Sequence, residues 1–285
     1  MNNKAVYAAA FSIALITFLA YLPSLQNGFV NWDDLDYVYE NELIRSIDLN
    51  FIKTILTTPL VYNWHPLTMF SYAVDYSLWG LDPLGYHLVN IVIHSIDTAL
   101  VFLLALRLAC IAGEERGESE GTSTGRLAAA LVAAALFGLH PLHVESVSWI
   151  SERKDGLCAF FFLSSALMYL KYAGATPGKG RYYACSLLLF IPALMSKSMA
   201  VTLPAVLLIL DFYPLRRRLT PKLLYEKAPF FLLSLLVSAL TIWAQREGGA
   251  LVGINAYPAP WRAVIALRAH AFYIYKMLAP INLAP

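Results

Sequence analysis

With 59% of its 285 residues hydrophobic and only 14% charged, this chain is too apolar for an ordinary soluble domain. A formal net charge of +2 gives no argument for nucleic acid, and no basic tract is interleaved with aromatics, so no nucleic-acid partner is expected. The three cysteines, Cys110, Cys158 and Cys185, lie in or beside apolar runs without metal spacing; their odd number and separation argue against a disulfide framework, and they read as small apolar fillers.

The first predicted element is a charge-free apolar run from Ala5 to Leu25. At about 1.5 Å rise per residue it spans roughly 30 Å, the thickness of a bilayer core. A cleavable signal would have a shorter apolar core and a small-residue cleavage site, so the run is predicted to stay as a membrane span. Further apolar segments follow at 86–106, 127–139, 156–170, 182–195, 199–213, 228–244 and 263–280. Several are shorter than the ~20 residues of a simple crossing; either flanking aromatic and polar residues extend them or some are re-entrant. The expected fold class is an all-α integral membrane protein, a multi-pass helical bundle of about eight spans, with a large first extracytoplasmic loop containing short helices. Residues 1–285 are expected to form one transmembrane domain, with no internal repeat and no tetratricopeptide array.

The basic residues orient this bundle. With the N-terminus inside, the inside connections hold Lys4, then Arg107, Arg116 and Arg126, then Lys171, Lys179 and Arg181, then Arg216, Arg217, Arg218, Lys222 and Lys227, and they outweigh the outside ones. Basic segments at both ends of 182–213 want the same side, so the chain is expected to cross twice there. That leaves Lys197 at an outside hairpin tip between Ser196 and Ser198. The outside face also receives the two polar connections at 26–85 and 140–155. The inside loop Gly113–Gly125 has no apolar anchor and reads as a flexible, solvated linker.

Four constellations carry candidate chemistry. Asp33 and Asp34, in Asn31-Trp32-Asp33-Asp34, stand just beyond the first span; neighbouring anions raise a carboxylate pKa, which suits a general base, while either acid can instead cap a following helix. Asn63-Trp64-His65-Pro66-Leu67 closes the same loop. His65 is held extended by the following proline, so its ring can point into a cleft or join an interfacial aromatic belt. His87, Asn90, His94 and Asp97 fall on one helix face within an arc of about 80°. Asp97 is expected near mid-membrane, where it and His94 form either a functional stripe or an interhelical hydrogen-bond network. Finally, His140-Pro141-Leu142-His143-Val144-Glu145 leads into Ser151-Glu152-Arg153-Lys154-Asp155. Its spacing is not that of a His-Glu-x-x-His zinc protease. Arg153 and Lys154 either snorkel at a span end or, joined by Lys197, form a phosphate-binding cluster.

An acid on one outer loop facing cations on others, above a lipid-facing bundle, suits group transfer from a phosphate-bearing lipid. The acid would take the proton of an acceptor hydroxyl and the cations would stabilise the departing phosphate.

The sequence also resembles a known family, the integral-membrane glycosyltransferases of the GT-C superfamily, specifically bacterial relatives of the transmembrane and tetratricopeptide-repeat O-mannosyltransferases. The resemblance rests on Phe29-Val30-Asn31-Trp32-Asp33-Asp34, His65-Pro66-Leu67-Thr68, Gly85-Tyr86-His87-Leu88-Val89-Asn90 running on to His94, Phe137-Gly138-Leu139-His140-Pro141-Leu142-His143-Val144-Glu145, Arg153-Lys154-Asp155 and Ser196-Lys197, in that order. It implies inverting transfer of a sugar from a polyprenyl- or dolichyl-phosphate donor to a protein or glycan hydroxyl at the extracytoplasmic face, in a bacterial inner membrane. The acidic pair that supplies the base in that pattern matches Asp33 and Asp34. Residues expected to bind donor phosphate or substrate are His65, His87, His140, His143, Glu145, Arg153, Lys154 and Lys197. The need for a divalent cation stays open. Family members often carry an acid directly after the lysine, whereas Ser198 follows Lys197 here. Two other readings are a transporter or channel lined by the His94–Asp97 stripe, which calls for repeats that are not seen, and a non-catalytic scaffold derived from a transferase. Of Asp33 and Asp34, the second is expected to be slightly the more sensitive.

Overall fold

The computed structural model describes residues 3–115, 123–174, 178–250 and 258–283. It is helical, and the only strand-like pairing among the described residues is an isolated bridge between Leu60 and Asn63. The Gly113–Gly125 connection, read above as a linker, lies largely outside the described residues.

Each apolar segment is a helix. In chain order these are α1 (Asn3–Tyr21), α2 (Leu49–Thr57), α3 (Pro66–Trp79), α4 (Pro83–Glu115), α5 (Ser123–Leu139), α6 (His143–Ser148), α7 (Arg153–Ala173), α8 (Lys179–Ser196), α9 (Leu203–Phe212), α10 (Pro221–Glu247) and α11 (Ala259–Leu278). Four stretches are long and apolar enough to cross a membrane: Asn3–Gln26, Pro83–Glu114, Ile150–Ala173 and Pro221–Glu247. The chain is an integral membrane protein in which four helices, among the described residues, are long and apolar enough to cross, against about eight apolar segments in the sequence. Two of the remaining segments form shorter apolar helices, whereas α8 and α11 have 18 and 20 residues. His140 precedes Pro141 and is pushed out of the helical region, so α5 stops at Leu139, and Ser198–Phe212 is likewise a shorter apolar helix. Exposed Tyr7, Phe11 and Leu15 on α1, and Leu232, Leu235 and Leu236 on α10, are the apolar outer surface that a hydrocarbon environment requires.

Two packed groups make the bundle. In the first, α1, α4 and α5 come together around Ala10, Ile13, Phe102, Ala130 and Ala134. Their approach is close at Gly138, where any Cβ would run into the side chains of Thr17 and Thr98. The second pairs α7 with α8 along their lengths and adds α9 and α10 around Tyr169, Phe190, Leu207 and Phe230. Ser165 and Ser186 exchange hydrogen bonds across it, at 2.7 and 2.9 Å, so these buried hydroxyls are satisfied at the helix crossing.

One end of the bundle is closed by a cap. Residues between α1 and α4 do contain short helices, but these have their own core rather than lying loosely on a surface. Tyr37, Val38, Ile44, Phe51, Met69 and Tyr72 are all buried there with Tyr86 and Ile150. Asp48 caps α2 by accepting from the Phe51 N–H at 2.7 Å, and Pro66 opens α3 at a position where no backbone donor is lost. Truncating a buried aromatic such as Phe51 to Ala would cost about 3–5 kcal/mol. Long-range bonds bring the cap to the other connections: Thr68 donates to the Ser196 carbonyl at 3.1 Å, and Asp34 meets Ser151. At the opposite end a separate network is buried. Lys227 pairs with Asp211 at 2.6 Å, the Tyr169 hydroxyl donates to Asp211 at 2.8 Å, and Arg217 reaches Glu226 at 2.8 Å.

Candidate active site at the capped end of the bundle

The acidic pair divides between two environments. Asp34 is fully buried. One carboxylate oxygen accepts from the Val30 N–H at 2.9 Å; the other accepts from the Ser151 N–H at 2.9 Å and from the Ser151 hydroxyl. It stands at the start of the Leu35–Tyr39 turn without capping it; its role is to tie the cap to the connection before α7. Asp33 is half-buried, lies near Tyr37, and makes no hydrogen bond or ion pair among the described residues. Of the two, Asp33 is the carboxylate left without a partner among the described residues.

The cations are not the free cluster expected. Arg153, 1% exposed, is ion-paired with Asp75 and donates to Asn90 Oδ1 at 2.7 Å and to the Tyr86 carbonyl at 2.8 Å. Its guanidinium also lies 4.9 Å from the Tyr72 ring centre. This is a structural anchor whose donors are largely spent within the cap. Burial pushes the Asp75 carboxyl above the usual range, with Arg153 opposing. Lys154 and Lys197 instead share the Glu152 carboxylate. Lys154 meets Glu152 at 2.7 Å and the Ser151 carbonyl at 3.1 Å; Lys197 reaches Glu152 at 3.4 Å and is bonded to Asp155. Burial pulls the Lys197 ammonium down, but the bonds and charges of Asp155 and Glu152 outweigh it and the net shift is upward. The acid missing after Lys197 in sequence is therefore supplied from the start of α7.

The histidines scatter. His65 is buried, with Nδ1 unpartnered, and burial followed by the charges of Lys154 and Lys197 lowers it to about 3, so it is neutral. His87 is buried and faces the Asn27–Gly28 backbone. His140 lies away from the cations: its Nε2 meets the Met277 carbonyl at 3.0 Å and its Nδ1 accepts from the Leu142 N–H. His143 packs on Phe137 with ring centres 4.7 Å apart. Burial lowers it, as does His140, against the opposing charge of Asp155. Glu145 is exposed, and its side chain meets no partner among the described residues.

The polar stripe on α4 is mainly a network. Asn90 donates to the Val147 and Trp149 carbonyls at 3.3 and 3.2 Å, and His94 meets the Gly138 carbonyl at 3.0 Å. Asp97 is different: fully buried, with neither oxygen hydrogen-bonded. It faces Gly156 in the first turn of α7, where an added Cβ would stand 3.9 Å from Oδ2. Asp97 lies 14 residues into α4, about 21 Å from its first residue, Pro83. A cavity of about 330 Å³ lies there, bordered by His94, Asp97, His143, Asp155 and Lys197. Asp33, Asp34 and His65 are not in its wall.

Asp75, Glu152 and Asp155 were not among the site residues expected. Asp75 carried a signal: it is the one charged residue of the segment Pro66–Trp79. Among the described residues, no group of three or more His, Cys, Asp or Glu side chains is placed to hold a metal ion.

Known proteins are similar to this chain over much of its length. It is 30% identical over 195 residues to protein O-mannosyl-transferase Tmtc1 of Drosophila melanogaster, covering 66% of this chain and 21% of that protein. To protein O-mannosyl-transferase TMTC4 of Homo sapiens it is 40% identical over 116 residues, covering 38% and 15%. To TMTC2 of Mus musculus it is 28% identical over 258 residues, covering 80% and 28%. The chain thus spans between 15% and 28% of the length of these relatives. No protein-family model matches it, and no solved structure matches it. The relatives are animal proteins and lend no support to a bacterial inner membrane.

Proposed function

We propose that this chain is the membrane-embedded transfer module of an O-glycosyltransferase. It moves a sugar, mannose by analogy with the names of its relatives, from a polyprenyl- or dolichyl-phosphate donor to a hydroxyl of a protein or glycan. The shorter helices complete a bundle of about eight crossings that sets the cap at the extracytoplasmic face. The observation that supports this most is the Glu152–Lys154–Lys197–Asp155 ladder, two of whose members, Asp155 and Lys197, border the cavity beside α4 and α7.

In this reading Asp33 takes the proton of the acceptor hydroxyl. The hydroxyl oxygen bonds to the anomeric carbon as the bond from that carbon to the phosphate oxygen breaks. A single displacement of this kind inverts the configuration, and the lipid phosphate leaves with the bonding electrons. Lys197 and Lys154 exchange their carboxylate partners for the phosphate oxygens as charge develops there. Neutral His65, near both lysines, adds a hydrogen-bonding group without another charge. Asp34 and Arg153 hold the cap, and through it Asp33, in place.

The test is transfer itself. The purified chain in liposomes, given a labelled polyprenyl-phosphate mannose and a serine- and threonine-bearing peptide, should label the peptide. Labelling should be lost in Asp33→Asn. Labelling at the wild-type rate in Asp33→Asn would remove this base from the mechanism.

A further inference from the structure

We propose that Asp97 is a sugar-reading residue: its carboxyl, in the wall of the cavity between α4 and α7, hydrogen-bonds hydroxyl groups of the donor's glycosyl headgroup. This rests on the lipid-phosphate reading above and adds where the sugar lies and which residue recognises it.

Four aspartates are buried in the described residues. Asp34 is met by Val30 and Ser151, Asp75 by Arg153, and Asp211 by Lys227, Arg217 and Tyr169. Asp97 alone has no partner at either oxygen. A buried acid without a donor is costly to keep, and packing does not need one here, since Ile93, Phe137, Ala159 and Phe162 supply the apolar part of the same wall. An unpaired polar group in a cavity that mixes apolar walls with converging polar side chains is the pattern of a ligand site.

The chemistry of the occupant follows from what surrounds the acid. A hydrocarbon tail would leave the carboxyl unpaired, and a phosphate beside it would set like charges together. A sugar hydroxyl both donates and accepts, so it pairs with a carboxyl in either protonation state. Lys197 borders the same cavity. An ammonium at one edge and an acid in the wall match the two halves of a glycosyl phosphate, anion at Lys197 and hydroxyls at Asp97. The cavity, about 330 Å³, has the volume of roughly ten waters and falls at the lower end of known ligand pockets.

The experiment measures binding of two probes, dolichyl phosphate and dolichyl phosphate mannose of equal chain length, to the whole chain in nanodiscs. Asp97→Leu should weaken binding of the mannose-bearing lipid by about tenfold or more, the scale of a lost hydrogen bond to an acid. Binding of the bare lipid phosphate should stay unchanged, and thermal stability should not fall, because the unpaired polar group is gone. Asp97→Asn, which keeps hydrogen-bonding atoms, should bind the mannose lipid within about threefold of wild type. If the leucine does not fold, Asp97→Ala, which cannot overfill the space, gives the same comparison. Unchanged binding of both lipids in the leucine and alanine variants would overturn the assignment. Equal weakening of both lipids would overturn it too, because the residue would then act on the phosphate or the packing. Wild-type protein that binds neither lipid would remove the lipid-phosphate reading itself, and this assignment with it.

Discussion

Ser151 gives both its backbone N–H and its hydroxyl to one oxygen of Asp34, 117 residues away in the chain. The other Asp34 oxygen is taken by the Val30 N–H, so every partner of this buried carboxylate is a donor. Asp34→Asn must turn an NH₂ toward one of them, which costs roughly 1–3 kcal/mol. Asp33→Asn disturbs no bond, but an amide cannot accept the acceptor's proton, which is worth about 10²–10⁴ in rate. Melting curves and transfer rates on the two variants should therefore cross: Asp34→Asn melts earlier, while Asp33→Asn melts normally and transfers little. The reverse pattern would return the base to Asp34.

Arg153 and Lys197 should separate in the same way. Arg153→Ala strands Asp75 in the cap core and is expected to destabilise by about 3–5 kcal/mol, as removal of one partner of a buried pair does. Replacing both partners by apolar residues, Arg153→Met with Asp75→Leu, should recover most of that loss. Lys197, half-buried and sharing Glu152 with Lys154, should leave the melting temperature almost unchanged as Lys197→Ala. Donor-lipid binding should weaken about tenfold in that variant. Intact donor binding in Lys197→Ala would make this lysine a helix-end anchor.

His65 predicts a pH dependence. Folding lowers its imidazole from the ordinary 6.5 to about 3. Between those values the unfolded chain holds more protons than the folded one, so stability rises with pH there. The stabilisation is complete above about 6.5 and is lost as pH falls toward about 3. Melting temperatures measured from about pH 7 to about pH 4 should fall, and His65→Gln should flatten the slope. Parallel slopes in both proteins would assign the acid sensitivity to other groups.

Sidedness is open to labelling. With Cys110, Cys158 and Cys185 replaced, single cysteines at Trp32, Ser148 and Lys197 should react with an impermeant maleimide from the same face of the membrane, and a cysteine at Lys179 from the other. Trp32 and Ser148 labelling from opposite faces would break the proposed topology.

The reach of the sequence is uneven, for physical reasons. The helices were legible because apolar runs and proline stops are local signals; His140-Pro141 ends α5 within a residue of the expected boundary. The crossings were harder to count, because hydropathy marks a short apolar helix such as α9 as readily as one of full crossing length. The acids and cations of the site were visible as residues but not as pairs. That Arg153 spends its charge on Asp75, 78 residues earlier, depends on how α3 packs against α7. Asp33 and Asp34 have identical side chains at adjacent positions. Roughly 100° of backbone rotation buries one and leaves the other without a partner, and no pattern in a single chain reveals which way that rotation points.

The ladder of Glu152, Lys154, Lys197 and Asp155 is formally neutral, two cations against two carboxylates. Such a ladder exerts little long-range pull on an anion, so free phosphate and chloride gain little by approaching it. A visitor can be held only by displacing a carboxylate from its lysine, a trade that favours an anion already pinned nearby by the rest of its molecule. The resting ion pairs thus act as a filter that admits tethered anions ahead of dissolved ones.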